Sequence, residues 1–288
     1  PAKRTLILSK IDESFEIDGR KYDLFTNIGK SYISQGFKYQ ESFEKTYMPI
    51  FEYKVEDVSI TKTICMEHFK NTVVVHYKIK SKKSNSKLTL APIMNYRDVH
   101  GMSHNHFFDL EQEVKENKVQ VKIDDGTPIY MNISEGKYIQ HQNDIFGGMF
   151  YIEEEKRGFI AEENHAIPGI FQIEIEPNEE KDISFICSLE NDIETKTARE
   201  IIKNEVERLE KVVKDSELVG EENVDLIETL VVATDNFVSY KPAFNSYTVM
   251  AGYPWFIDWS RDTLIAFEGV LLLTKRYEIA REVLLSIT

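Results

Sequence analysis

Up to about Leu189 the apolar positions recur at every second residue. Val73, Val75, Tyr77 and Ile79 alternate with Val74, His76, Lys78 and Lys80. Val119, Val121 and Ile123 run into Asp125–Gly126, and Ile129, Met131 and Ile133 run out again. That pattern predicts a hairpin whose loop has two residues or more. Phe171, Ile173 and Ile175 alternate with Gln172, Glu174 and Glu176, while Gly19, Gly158 and the Pro177–Asn178 pair mark turns. Many short strands with one apolar face each predict a large antiparallel β-sandwich.

After Leu189 the period becomes helical. Thr197 followed by Glu200 has the form of a capping box. Ala198, Ile201, Ile202, Val206, Leu209, Val212 and Val213 then form one apolar stripe, as in a connecting helix that packs on a single face. Further helices are expected from about Asn223 to Tyr240, from Asp262 to Lys275, and from Tyr277 to the end. The helix from Asp262 to Lys275 is apolar nearly all round (Leu264, Ile265, Ala266, Phe267, Val270, Leu271, Leu272, Leu273), which predicts burial on every side. An inner helix of a two-layered α/α barrel has this composition, although four helices cannot close such a barrel. The expected organisation is a sandwich domain over residues 1–190, a helical linker over 191–220 and the start of a helical barrel over 221–288.

With 42% hydrophobic residues in 288, the chain can bury real cores. Its formal net charge of −14 argues against nucleic acid or an anionic membrane as partner, since both need basic patches. No apolar run reaches the ~20 residues a membrane span needs, and PAKRTLILSK has no signal-peptide core. The first residue is proline, so the chain is expected to begin at a fragment boundary. Cys187 keeps phase with Ile183, Phe185 and Leu189 and is expected as a buried thiol rather than half of a disulfide with the distant Cys65. These features point to the cytoplasm.

The chemistry concentrates in GYPWFIDWSRDT, Gly252–Thr263. It holds the chain's two tryptophans, Trp255 and Trp259, with Asp258, Arg261 and Asp262. Flat aromatic faces cover the C–H face of a pyranose, and carboxyl groups bond its hydroxyls or protonate a glycosidic oxygen.

From Ala233 onward the chain resembles the catalytic domain of prokaryotic glycogen debranching enzymes of the amylo-α-1,6-glucosidase type. The resemblance rests on ATDNFV (Ala233–Val238), AGYPWFIDWSRDTLIA (Ala251–Ala266) and LLLTKRYEIA (Leu271–Ala280). Upstream, KRTLILSKIDE (Lys3–Glu13) and NYRDVH (Asn95–His100), with LAPIM before it, are similar to the sandwich domain of the same enzymes. The resemblance implies a β-sandwich, a helical linker and an (α/α)6 barrel, of which this chain holds only the first helices. It also implies inverting hydrolysis of α-1,6 branch linkages in an α-glucan such as glycogen or limit dextrin, with no cofactor and no metal. Three departures stand out: Ser260 replaces the usual Gly, Phe267–Glu268 replaces a common Leu-Pro, and the family's Gly-rich start and most of its barrel are missing.

Carried over residue by residue, the motif makes Asp262 the general acid. An aspartate before a helix can equally be an N-cap, a role that favours the ionised form while an acid must keep its proton. An apolar wall such as Trp259 would raise the pKa. Asp258 is expected to bond glucose hydroxyls or to serve as a turn residue. Arg261 is expected to bond a hydroxyl or to form a structural ion pair. Trp255 and Trp259 are stacking platforms, unless one of them is core. Inversion needs a second carboxylate ~6.5–9.5 Å away; the family supplies it from a later barrel loop, so it is expected outside this chain, and Glu268 matches no family acid.

His100, His104 and His106 lie near Asp98 and Asp109, but their spacing is not a strong metal signature and a loop of surface or interdomain contacts is expected. The NYRD word is placed in the same loop, with Arg97 and Asp98 at an interface or substrate rim. The acid runs at Glu153–Glu155 and Glu162–Glu163 read as solvated faces. Two functions follow: the front part of a debranching glucosidase, inactive alone for want of its second carboxylate, or a non-catalytic glucan-binding or structural sandwich module. Lacking its barrel partners, the apolar helix is expected to be covered by a second copy or to be poorly ordered.

Overall fold

In the first half of the chain, β-branched and aromatic residues at alternate positions favour extended backbone, and the turns between them set the order of the strands. The computed structural model describes residues 4–82, 85–193, 197–220 and 222–287, with the side chain of Asn143 excepted. Lys3, which opens the first matching word, and Thr288 lie outside the described residues.

The strands are β1 (Thr5–Ile17), β2 (Arg20–Asp23), the short pair β3 (Ile28–Gly29) and β4 (Tyr32–Ile33), β5 (Gln40–Lys45), β6 (Pro49–Val55), β7 (Val58–Met66), β8 (Thr72–Ser81), β9 (Ser86–Asp98), β10 (Leu110–Lys115), β11 (Lys118–Ile123), β12 (Ile129–Ile133) and β13 (Lys137–Phe150). A five-residue helix, α1 (Ile152–Lys156), precedes β14 (Glu162–Ile175) and β15 (Glu180–Ser188). One antiparallel sheet has the order β13-β14-β9-β1-β2 and the other β10-β11-β12-β15-β8-β7-β6-β5. The expected hairpin is β11–β12, in register Val121↔Ile129, with residues 124–128 between the strands.

The core is the filling between these sheets. Phe15, Leu88, Leu90, Phe171 and Ile173 from one sheet meet Tyr77, Ile79, Val121, Met131, Ile183 and Phe185 from the other. Phe171 and Phe185 cross the gap edge to face, ring centres 5.6 Å apart. Each fully buried side chain of this size contributes roughly 1.5–3 kcal/mol. Both cysteines are buried thiols, and burial pushes that of Cys187 up to about 12. One ion pair spans the core: Lys62 Nζ lies 2.5 Å from Glu13 Oε1, to which the buried Tyr77 hydroxyl donates at 2.8 Å. Burial, followed by the neighbouring Glu13, raises the Tyr77 pKa and keeps this donor protonated.

The chain divides into a unit spanning Thr5–Ile202 and a second unit of residues 203–287 together with Arg4. Helix α2 (Ala198–Ser216) crosses the division. The predicted capping box starts it: Glu200 N–H donates to Thr197 Oγ1 at 3.2 Å, and Thr197 N–H donates to Glu200 Oε2 at 3.2 Å.

In the second unit, α3 (Val224–Asp235) is shorter than the helix expected to reach Tyr240. Its end is held by ions, since Asp235 takes Arg208 and, at 2.9 Å, Arg276. The chain then turns extended as β16 (Val238–Lys241) and β17 (Ser246–Val249), a hairpin the helical reading missed. Asn245 turns its loop at φ 45°, a left-handed conformation asparagine tolerates. The expected helix from Asp262 to Lys275 is α4 (Ser260–Phe267) followed by a π-helical turn, Glu268–Leu272. Nor is it wrapped on every side: Thr263 and Leu271 are buried, whereas Leu264, Ile265, Leu272 and Leu273 are exposed. Helix α5 (Tyr277–Ile287) packs Ala280 and Val283 on Val238, Val249 and Leu271 in a small second core. No helix among the described residues is long and apolar enough to cross a membrane.

Candidate active site

The aromatic segment forms a loop with a closed neck. Met250 N–H donates to Phe237 O at 2.8 Å, Met250 bridges to Asp258, and Ala251 N–H donates to Ile257 O at 3.0 Å. Phe256 N–H donates to Gly252 O at 2.9 Å and completes the inner turn. Tyr253, Pro254, Trp255 and Phe256 are consequently held at an exposed tip. Neither tryptophan is core: Trp255 is 46% exposed and Trp259 52%.

Asp258 points back toward the hairpin. Its Oδ2 lies 2.8 Å from Lys241 Nζ and accepts from Thr248 Oγ1 at 3.1 Å. Lys241 and Thr248 sit on β16 and β17, so the hairpin fixes this carboxylate. Sequence reasoning missed both partners because most of β16 fell at the end of an expected helix and no strand was expected over β17. The available signal was the alternation of Val238, Tyr240, Tyr247 and Val249 on either side of Asn245.

Asp262 is not the helix cap. Trp259, in extended conformation, occupies the N-cap of α4, which puts Asp262 at the third helical position; the cap makes no side-chain hydrogen bond. Thr263 N–H donates to Trp259 O at 2.9 Å, and the buried Thr263 hydroxyl donates to Val249 O at 3.3 Å. These bonds pin the first turn of α4 to β17 and leave Asp262 exposed beside Arg261, which is exposed too. Among the described residues Arg261 makes no ion pair. The arrangement supplies an acid on a fixed helical turn, a second acid already neutralised by a lysine, and two half-exposed indole rings.

The histidine and NYRD residues lie in the sandwich. Asn95, Arg97 and Asp98 belong to the end of β9 rather than to a loop. Glu163, expected on a solvated face, is fully buried, whereas Glu153–Glu155 belong to the exposed side of α1 apart from the half-covered Glu154. Glu163 pairs with the Arg97 guanidinium, with Nη2 to Oε2 at 3.0 Å, and accepts from Tyr151 Oη at 2.8 Å and Ser103 N–H at 3.1 Å. Burial pushes its pKa up, but the Arg97 contact, the Ser103 amide and the Tyr151 hydroxyl outweigh it and hold the carboxylate below its usual range. His165, also fully buried, lies 3.1 Å from Tyr151 Oη and 3.3 Å from Asn95 Nδ2. Arg97 is thus an internal partner of Glu163, not an open rim residue. Of the three loop histidines, His100 turns to Asp98, His106 to Asp124 at 2.8 Å and His104 to Glu162 O. Each imidazole takes a different partner, and Asp109 N–H donates to Asp124 at 2.9 Å. Asp98 also accepts from His100 N–H at 2.9 Å.

A cleft of about 480 Å³ opens at one end of the sandwich, walled by Ile7, Leu8, Ile64, Met66, Val73 and Leu189. Among the described residues no carboxyl group lines it, so they supply no acid there for glycoside hydrolysis.

Residues 1–182 match the family described as glycogen debranching enzyme N terminal, and residues 232–288 match the one described as amylo-alpha-1,6-glucosidase. Among solved structures, a bacterial glucoamylase complexed with acarbose superposes with a TM-score of 0.38 at 16% identity, over 84% of this chain and 33% of that one. A polysaccharide lyase superposes with a TM-score of 0.31 at 9% identity, over 64% of this chain and 25% of that one. The chain therefore spans about a third of the length of the glucoamylase. Curated proteins contained no match.

Proposed function

The chain belongs to the glycogen debranching enzyme N-terminal family, and from that premise we propose that it is part of a glycoside hydrolase that cleaves α-1,6 branch linkages of an α-glucan with inversion. In this reading residues 1–190 are the sandwich domain, 191–220 the linker and 221–288 the opening helices of an (α/α)6 barrel. The observation that carries it is the pairing, in the stretch matching amylo-alpha-1,6-glucosidase, of two half-exposed indole rings with an aspartate that is not spent as a helix cap.

Asp262 is the general acid: it protonates the oxygen of the departing chain while water attacks the anomeric carbon from the opposite face. Trp255 and Trp259 stack on glucosyl rings, Arg261 bonds their hydroxyls, and Asp258 contacts the sugar from its fixed place on the hairpin. The carboxylate that activates water lies outside these residues. One carboxyl group cannot do both jobs of an inverting mechanism, so the 288-residue chain alone is inactive. No cofactor takes part, the protein is cytoplasmic, and a second copy covers the exposed barrel helices.

Two measurements test this. The isolated chain should release no glucose from an α-limit dextrin, and measurable turnover would remove the two-carboxylate argument. In a longer protein that includes the remaining barrel, proton NMR of the first turnovers should detect β-glucose, and Asp262→Asn should lower kcat by at least about 10²-fold. Initial α-glucose would rule out inversion.

A further inference from the structure

The neck of the aromatic loop is closed by its own backbone, but its tip is held from a residue at the other end of the sequence. Arg4 Nη2 donates to Pro254 O at 2.5 Å and to Phe256 O at 2.8 Å, across 250 positions of chain. The Arg4 guanidinium carbon also lies 5.2 Å from the centre of the Tyr253 ring. The two carbonyls flank Trp255 in the backbone, and Tyr253 in turn touches Phe237, ring centres 5.9 Å apart. A single guanidinium so engages three successive parts of the tip. Both carbonyl bonds leave the same nitrogen while the flat guanidinium faces the Tyr253 ring; an ammonium also carries three donors but has no planar, delocalised face to stack.

We propose that Arg4 is a positioning residue for the tryptophan loop: it fixes the backbone on both sides of Trp255 and so fixes the indole face before any ligand arrives. The carbonyls it bonds are at the surface and would find water without it. Its contribution is therefore order rather than relief of desolvation. Ordering the loop in advance removes an entropic cost from ligand binding. That the ligand is a glucan rests on the function proposed above; the clamp itself does not.

The chain's two tryptophans both lie in this segment, so intrinsic fluorescence reports on it without a label. Wild type, Arg4→Ala and Arg4→Lys would be compared by acrylamide quenching, near-ultraviolet dichroism and thermal melting, then titrated with α-limit dextrin. In Arg4→Ala the quenching constant should rise about twofold and the aromatic dichroism should fall, with the melting midpoint unchanged. Arg4→Lys should fall between, because an ammonium can bond the carbonyls but has no planar face to stack on Tyr253. Dextrin affinity in Arg4→Ala should weaken about five- to tenfold. Unchanged quenching and dichroism in Arg4→Ala would overturn the clamp. So would a lowered melting midpoint with full rescue by lysine, since that is the behaviour of a generally stabilising charge. If dextrin perturbs none of the three proteins, the glucan reading fails while quenching still decides the clamp. A double-mutant cycle with Tyr253→Leu should be non-additive, because the two side chains share one contact.

Discussion

Among single residues, Glu163 departs furthest from what its type suggests. A carboxylate with no exposure survives only because four donors converge on it: the Arg97 guanidinium, Tyr151, Ser103 N–H and, more distantly, Asn95 at 3.5 Å. Removing its charge would leave Arg97 without its counter-ion inside the sandwich. Glu163→Gln should therefore cost about 3 kcal/mol of unfolding free energy, read as a fall in the urea midpoint; a loss under about 1 kcal/mol would mean the pair is open to water. The buried imidazole beside it gives a pH signature. Burial is the main cause that lowers the His165 pKa from 6.5, with Glu163 opposing and Arg97 and Lys10 assisting; His76 is lowered chiefly by burial too. An unfolded chain protonates these rings below about pH 6.5, whereas the folded chain resists, so the unfolded state binds more protons in that window. Stability should thus be fully present above pH 6.5 and fall as pH drops below it, before Glu163 protonates. Urea midpoints at a series of pH values should fall less steeply between 6.5 and 5 in His165→Asn than in wild type. Parallel curves would show that His165 titrates normally. The alternation of Phe171, Ile173 and Ile175, carried back along the odd positions, meets His165 and Glu163. The inward phase was legible there, but residue type argued for solvent, and the Arg97 partner that settles the matter is 66 positions away.

At the level of elements, legibility followed the purity of the period. Strands β8, β11, β12, β14 and β15 and the capping box of α2 were readable because a sandwich core penalises any slip in a two-residue alternation. The region after Val224 was less so. Phe237 and Val238 satisfy a helical spacing as well as an extended one, and only the ion pairs on Asp235 and the left-handed Asn245 end the helix and turn the hairpin. The run from Leu264 to Leu273 is apolar throughout, so no polar face specifies its orientation; the π-helical turn then places Leu271 inward and Leu272 outward. In the site, Trp255, Trp259 and Asp262 were legible from their motif. Lys241, Thr248 and Arg4 were not, because they reach the loop through folding rather than through neighbouring positions. The α2 cap offers a clean test of an element. Thr197→Ala removes the bond that Thr197 Oγ1 accepts from Glu200 N–H and leaves the Thr197 N–H to Glu200 bond in place; it should cost about 1 kcal/mol locally. Amide exchange at Glu200 should accelerate about fivefold, and unchanged protection would leave the cap without energetic weight.

For the whole molecule, the two units differ in how completely they bury their apolar residues. The sandwich closes its core between two sheets, whereas the second unit leaves Leu226, Leu230, Leu264, Ile265, Leu273 and Leu285 in contact with water, Ile265 at 78% exposure. Scattered surface leucines need no explanation, but these six large aliphatic side chains on one unit offer apolar surface that association could cover. Opposing association is the net charge of −14, a repulsion that acts over about 10 Å at 0.1 M salt and shortens as salt rises. The two terms have different salt dependences, which separates them. The chain should be least associated in dilute buffer and should gain mass in light scattering as concentration or salt increases. Ile265→Glu places a charge on an already exposed position, so it should reduce association while leaving the unfolding free energy within about 0.5 kcal/mol of wild type. A monodisperse monomer at high salt, with no binding of an apolar dye, would mean that these side chains shield one another and that no second copy is needed to cover them.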